Sequence, residues 1–208
     1  MVKVKICGLT NLEDASTAAR LGADYLGFIL YPKSPRYVPP ERAAEILKEL
    51  PPSVKKVAVV VNADTRFLKE LLKLGFDLLQ LHGNESPGIL KEIPPERVIK
   101  VFRVSAEAPP REELKRWEDV YAFLLDTYKK DTFGGTGETF NWEVAKTLVS
   151  EGWRIFLAGG LNPENVAEAV RCVKPFAVDV SSGVELSKGK KDLKKLEEFI
   201  KRAKSVSV

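Results

Sequence analysis

Histidine occurs once, at His82, and methionine and glutamine once each, at Met1 and Gln80; cysteine occurs twice, at Cys7 and Cys172, far apart in 208 residues. One histidine and two distant thiols exclude a multi-histidine metal centre, a cysteine metal spacing and a disulfide framework. No metal is expected, and a reducing cytoplasm is the expected compartment. Long apolar runs are also missing. VAVVV at 57–61 is among the longest, far short of the roughly 20 residues a membrane helix needs. The opening MVKVKICG lacks the h-region and cleavage site of an export signal. Nor is there a large charge excess: 33 Lys and Arg against 29 Asp and Glu leave +4, spread along the chain. Neither nucleic acid nor a membrane is therefore an expected partner. The scarcity of Gln, Met and Cys beside many charges is compatible with a heat-loving host.

What the chain does have is a balance of 44% hydrophobic and 30% charged residues over a length that suits one buried core and not two. Apolar runs alternate with helix-patterned segments throughout. Strands are predicted at Val2–Cys7, Tyr25–Leu30, Lys56–Val61, Leu78–Leu81, Val98–Val104, Tyr121–Leu125, Arg154–Ala158 and Phe176–Val180. Most lack sustained polar alternation, as parallel strands covered on both faces do. Helices are predicted near 11–21, 40–50, 64–74, 87–93, 111–117, 141–150, 163–172 and 191–204. Eight βα units imply an α/β single-domain (β/α)8 TIM barrel spanning residues 1–208, with a doubly wound open sheet as the alternative. An internal echo supports the repeat: LGADYL at 21–26 and LGFDLL at 74–79 each place a helix-closing Gly before an Asp that leads into a strand.

In such a barrel the chemistry sits at the C-terminal strand ends. Those positions are Cys7, the Pro32–Tyr37 loop, Asn62, His82, Arg103, Asp126, Gly159-Gly160 and Asp179–Gly183. Period-two alternation points Lys5 and Cys7 of the first strand into the barrel, and Gln80 and His82 share a face of the fourth. Cys7 is either a small buried hydrophobe or a thiolate favoured by the Lys5 ammonium. Asp126, closing AFLLD, is either a loop carboxylate or a general acid held protonated by apolar surroundings. Arg36, behind Pro35, is either a surface arginine or a bidentate carboxylate grip, and His82 a polar strand end or a substrate contact. Gly159 and Gly160, then Ser181, Ser182 and Gly183, form two turns that end apolar runs and precede helix starts. Together they read as a cradle for one phosphate of a small phosphorylated substrate. FGGTGETF at 133–140 lacks the third glycine of a dinucleotide fingerprint and reads as a lid after strand six. The basic segment from 188 to 204 carries Leu193, Leu196, Phe199 and Ile200 at helical spacing, and reads as a solvated helix packed by one face.

KICGLT at 5–10, SPR at 34–36, QLHG at 80–83, LLDT at 124–127, GGTG at 134–137, LAGGLNPENV at 157–166 and DVSSGVE at 179–185 together resemble the phosphoribosylanthranilate isomerases of tryptophan biosynthesis. The matches run in order from Lys5 to Glu185. The resemblance implies a cofactor-free Amadori rearrangement of N-(5-phosphoribosyl)anthranilate to 1-(2-carboxyphenylamino)-1-deoxyribulose 5-phosphate. It further implies Cys7 as general base, Asp126 as general acid, Arg36 on the anthranilate carboxylate and Asp179 near the sugar hydroxyls. Whether Asp179 points inward is not decided by AVDVSS. A metal-dependent epimerase, the indole-forming synthase of the same pathway and a catalytically silent phosphosugar binder are the rivals. The single histidine, the absence of a strand-end Lys and Glu set, and the retention of Cys7 with Asp126 count against them in turn. A monomer and a homodimer are both open.

Overall fold

The structure is a computed structural model that describes residues 1–104, 111–127 and 140–206. Eight parallel strands close into a barrel in sequence order: β1 (Lys3–Ile6), β2 (Tyr25–Ile29), β3 (Lys55–Val60), β4 (Leu78–Leu81), β5 (Val98–Val104), β6 (Ala122–Thr127), β7 (Ile155–Ala158) and β8 (Ala177–Val180). The seam between β8 and β1 is in register from Lys3↔Ala177 to Ile6↔Val180, which sets Lys5 directly beside Asp179. The open-sheet alternative is thereby removed.

Two cores divide the apolar residues. Val4, Ile6, Leu79, Leu81, Val178 and Val180 face outward, where they join the helices in one large cluster. Tyr25, Val57, Leu78, Ile99, Leu124, Phe156 and Ala177 fill the barrel interior, the side-chain packing that makes such a barrel a solid core and not a pore. The alternation expected for β1 holds: Lys5 is inside, and Lys3 lies exposed at the lower rim with Asp24.

The helices are α1 (Leu12–Arg20), α2 (Pro40–Lys48), α3 (Thr65–Lys73), α4 (Arg111–Lys115), α5 (Phe140–Ser150), α6 (Val166–Val173) and α7 (Leu193–Lys204). Asn11, Asp64 and Asp192 cap α1, α3 and α7 by accepting from backbone N–H groups in the first turn. The internal echo has a physical basis. Gly22 and Gly75 take φ of 96° and 106°, left-handed values that let the chain leave the helix. Asp24 then accepts from Val4 N at 2.9 Å and Asp77 from Lys56 N at 2.8 Å. Each carboxylate thus ties its strand to the one before.

Four expectations need correction. The segment at 87–93 holds a 3-10 turn, Pro87–Lys91, followed by a second at Pro95–Arg97; three prolines within nine residues leave too few backbone donors for an α-helix. α6 begins at Val166 and not at 163, because Asn162 accepts from Glu164 N and Asn165 N and holds the intervening residues in a turn. An antiparallel hairpin, β9 (Glu185–Ser187) with β10 (Lys190–Lys191), lies between β8 and α7, so 191 is strand and α7 starts two residues later. Finally, Leu193 is exposed, while Leu196, Phe199 and Ile200 pack as expected. The lid expected over 133–140 lies outside the described residues apart from Phe140, which opens α5.

Candidate active site

A cavity of about 310 Å³ opens at the C-terminal ends of the strands. Every site residue expected from the sequence is on its wall: Cys7 after β1, Arg36 in the β2–α2 loop, His82 after β4 and Asp126 within β6. Gly159 and Gly160 follow β7, Asp179 lies in β8, and Ser181, Ser182 and Gly183 come after it. Two of the strand-end positions lie elsewhere. Arg103 lines a neighbouring cavity with Lys100 and Glu85. Asn62 adopts φ of 50° and accepts from Asn84 N at 2.8 Å, a turn-making role.

On the β8–β1 side the groups are buried and paired. Lys5, with a side chain 0% exposed, donates to Asp179 Oδ1 at 2.8 Å. Asp179 therefore points inward, which the sequence left open. Gly27 of β2 makes room for this arrangement, since a Cβ there would stand 2.9 Å from Cys7 Sγ and 3.0 Å from Lys5 Nζ. Burial works against the Lys5 ammonium, but Asp179 and Cys7 outweigh it and raise its pKa. For Cys7 the balance falls the other way. Burial pushes the thiol up, and the nearby Lys5 and Lys191 oppose this without reversing it. Lys5 thus acts on the thiol in the expected direction, and desolvation is the larger effect, leaving the thiol above its ordinary value.

On the opposite side the groups are more open. Asp126 is 36% exposed, and its Oδ2 lies 3.5 Å from His82 Nε2. The apolar sheath expected around this carboxyl is not present, because β6 ends at the rim and places Asp126 beside a histidine. Gln80 is buried below His82, its Nε2 3.5 Å from His82 Nδ1 and its Oε1 unpartnered on the cavity wall. Behind His82 stands a clamp the sequence did not suggest. Glu85 accepts from the N–H groups of Asn62 (2.9 Å) and Gly83 (3.1 Å) and from Lys100 Nζ (2.7 Å). Gly83 is required here: a Cβ would fall 2.3 Å from Asn62 Oδ1. Burial alone would raise the Glu85 carboxyl, yet Lys100 and the Asn62 N–H hold it below its ordinary value.

The third wall is the pair of small-residue turns. Gly159 and Gly160 have φ of 87° and 66°, and Gly183 packs so closely that a Cβ would lie 1.9 Å from Leu161 O. The turns after β7 and β8 are thus in contact and form one surface. Ser181 Oγ is buried without a hydrogen-bond partner, a hydroxyl in want of an acceptor or donor. The bidentate grip expected of Arg36 exists, but its partner is Glu185 of the same chain, with Nε–Oε1 and Nη2–Oε2 both at 2.7 Å.

Sequence reasoning missed Gly8, Gly27, Glu185 and Lys191 around this cavity. Gly8 has φ of 73°, and a Cβ there would meet Arg36 Cδ at 2.6 Å and Ser181 Oγ at 2.7 Å. A glycine inside the apolar run YLGFI was the available signal for Gly27. Glu185 and Lys191 gave no such signal, since charged residues near KGKK read as solvated.

A family model described as N-(5'phosphoribosyl)anthranilate (PRA) isomerase matches residues 4–202. The N-(5'-phosphoribosyl)anthranilate isomerase of Aquifex aeolicus (strain VF5) is 61% identical over 206 residues, covering 99% of this chain and 100% of that relative. The crystal structure of phosphoribosyl anthranilate isomerase from Thermotoga maritima superposes with a TM-score of 0.86 at 43% identity, covering 99% and 100% of the two chains. A phosphoribosyl anthranilate isomerase solved with reduced 1-(o-carboxyphenylamino)-1-deoxyribulose 5-phosphate superposes with a TM-score of 0.81 at 40% identity, covering 99% and 100%.

Proposed function

The chain belongs to the phosphoribosylanthranilate isomerase family, and on that premise we propose that Cys7 and Asp126 carry its acid–base chemistry. The reaction is the rearrangement of N-(5-phosphoribosyl)anthranilate to 1-(2-carboxyphenylamino)-1-deoxyribulose 5-phosphate, an isomerisation of tryptophan biosynthesis. What carries the assignment is convergence: ten residues from five strand ends and one loop, chosen for their chemistry, line one cavity.

Asp126 protonates the furanose ring oxygen, the C1–O bond breaks, and an iminium forms between C1 and the anthranilate nitrogen. The Cys7 thiolate takes the proton from C2, giving an enol-amine that tautomerises to the C2 ketone. One proton leaves Asp126 and one is gained at Cys7, so substrate and product differ only in arrangement. Exposure at the rim suits Asp126, which exchanges protons with solvent between turnovers, and His82 at 3.5 Å is placed to orient it. Lys5 and Lys191 offset the cost of charging a buried thiol. The phosphate is held by Gly159, Gly160, Ser181, Ser182 and Gly183, where the unpartnered Ser181 hydroxyl gains an acceptor. Arg36 takes the anthranilate carboxylate through the end of its fork that Glu185 leaves free, and Asp179 lies near the sugar hydroxyls. Cys7 and Cys172 are free thiols, which fits a cytoplasmic enzyme.

The test follows the fluorescence loss of freshly made N-(5-phosphoribosyl)anthranilate. Cys7→Ala and Asp126→Ala should each lower kcat by roughly 10²–10⁴, the usual worth of a positioned acid or base. Wild-type turnover in both variants would overturn the assignment.

A further inference from the structure

Neither Glu185 nor Lys191 is the acid or the base of the chemistry just described, yet both are buried against it. The Glu185 side chain is 5% exposed, and that of Lys191 is 0% exposed. Both come from the β9–β10 hairpin. Besides Glu185 Oε1 at 3.2 Å, Lys191 Nζ donates to the backbone carbonyls of Cys7 at 2.6 Å and Ser181 at 3.1 Å. The three acceptors come from three places in the chain: the end of β1, the turn after β8 and the hairpin itself. Asp14 Oδ2 accepts from the Lys191 backbone N–H at 2.9 Å, which pins the strand that carries the ammonium. Burying an ammonium is costly unless its donors are met and its charge is balanced. Here every donor is met.

The electrostatics follow from counting charges. A guanidinium paired bidentately with a carboxylate is close to neutral as a unit, and is a poor host for a second carboxylate. Arg36 and Glu185 would be such a unit if they stood alone. Lys191, 3.2 Å from Glu185 Oε1, returns the cluster to one net positive charge. Glu185 also occupies the Nε and Nη2 edge of Arg36, so the Nη1 end, which has no hydrogen-bond partner among the described residues, is the edge open to an incoming group. Gly8 closes the arrangement, since only a residue without a Cβ fits against Arg36 Cδ and Ser181 Oγ.

We propose that Glu185 and Lys191 are positioning residues that set specificity for an aryl carboxylate: Glu185 fixes which edge of Arg36 faces the cavity, and Lys191 keeps the cluster positive while tying it to the Cys7 and Ser181 peptides. The proposal rests on the reading of Arg36 as host of the anthranilate carboxylate.

The experiment compares two substrates, N-(5-phosphoribosyl)anthranilate and N-(5-phosphoribosyl)aniline, the latter made freshly from ribose 5-phosphate and aniline and followed by chromatography of its product. In Glu185→Gln, kcat/KM for the carboxylated substrate should fall roughly 10-fold to 100-fold, the worth of a hydrogen bond to a charged group, with most of the loss in KM. The aniline compound should change by less than about twofold, because it makes no contact with Arg36. Glu185→Asp, which keeps the charge, should recover part of the discrimination. Arg36→Met is the control for the underlying reading: if it depresses both substrates equally, Arg36 does not hold the carboxylate. If Arg36→Met discriminates between them while Glu185→Gln depresses both alike, Glu185 is structural only and the proposal is overturned. Lys191→Met should lower kcat for both substrates, through the thiol it helps to charge, and should in addition raise KM for the carboxylated substrate alone, as Glu185→Gln does. Should it fail to fold, the pair Glu185→Gln with Lys191→Met, which leaves neither of the two hairpin charges buried alone, takes its place with the same expectation.

Discussion

The two sides of the cavity are built on opposite principles. Around Cys7, on the β8–β1 side, the charged groups are buried and engaged with one another: Lys5 with Asp179, Glu185 with both Arg36 and Lys191. Around Asp126 the reacting group itself is open at the rim, and the buried ion pair, Lys100 with Glu85, stands behind it. As the proposed base, Cys7 must hold a charge away from water, so its surroundings have to supply compensating charge. As the proposed acid, Asp126 would exchange protons with solvent, so its surroundings need only fix its position. Stability and activity should therefore be entangled on the first side and separable on the second.

The largest effect that would break this contrast is expected at Lys5. Lys5→Met leaves Asp179 buried without its counter-charge, at a cost of about 3–5 kcal/mol in urea unfolding. The exposed partner pair at the lower rim, Lys3 with Asp24, should lose no more than about 1 kcal/mol in Lys3→Met. In a Cys172→Ser background, needed because Cys172 is exposed, alkylation of Cys7 against pH should also move upward in Lys5→Met. Equal stability losses in the two lysine variants, or an unmoved alkylation profile, would refute the base-side account.

A smaller effect concerns acid. The Glu85 carboxyl is held below its ordinary 4.5 by Lys100 and the Asn62 N–H, against the effect of burial. A carboxyl lowered in the folded state contributes stability that is fully present above the unfolded value. That contribution is lost as pH falls through the folded one. In Lys100→Met the urea midpoint should be lower near neutral pH and should fall less than in wild type as pH drops below the ordinary carboxylate range, because the stability that the Lys100 charge lends to ionised Glu85 is already gone. Superimposable midpoint-against-pH curves would show that the clamp behind His82 does not depend on the Lys100 charge.

The smallest effect is the sharpest for the comparison. Asp126→Asn should change unfolding free energy by no more than about 0.5 kcal/mol, as for a surface substitution outside any packed feature, while turnover collapses. A variant that lost both would mean that the acid side is as structurally committed as the base side.

Much of this site was legible because closure of a barrel converts a one-dimensional pattern into a ring. Cys7, His82 and Asp126 each end an apolar run, and strand ends point to one rim whatever the helices do. Direction was legible where alternation was clear, as for Lys5 and Cys7 against Val4 and Ile6. It was not for Asp179, whose strand AVDV is buried at every position. Glu185 and Lys191 escaped because a hairpin of three and two residues is too short for periodicity to register. The Lys191 charge in KGKK read as solvated until Cys7, 184 residues away, is brought alongside, and Glu185 meets its partner Arg36 only across 149 residues. Proline content in 87–97 did signal trouble for a fourth helix.

The seam between β1 and β8 also governs when the protein becomes an enzyme. Lys5 meets Asp179 across 174 residues, a separation that a ribosome adding roughly 5–20 residues per second covers in about 10–35 s. Through that interval a nascent chain already carries its thiol, but not its flanking strand, the turn after β8 or the hairpin that buries Lys191. The seam is the most distant pairing among the barrel strands and bears the larger closure entropy. Closure of the barrel and completion of the cavity wall beside Cys7 both wait on β8.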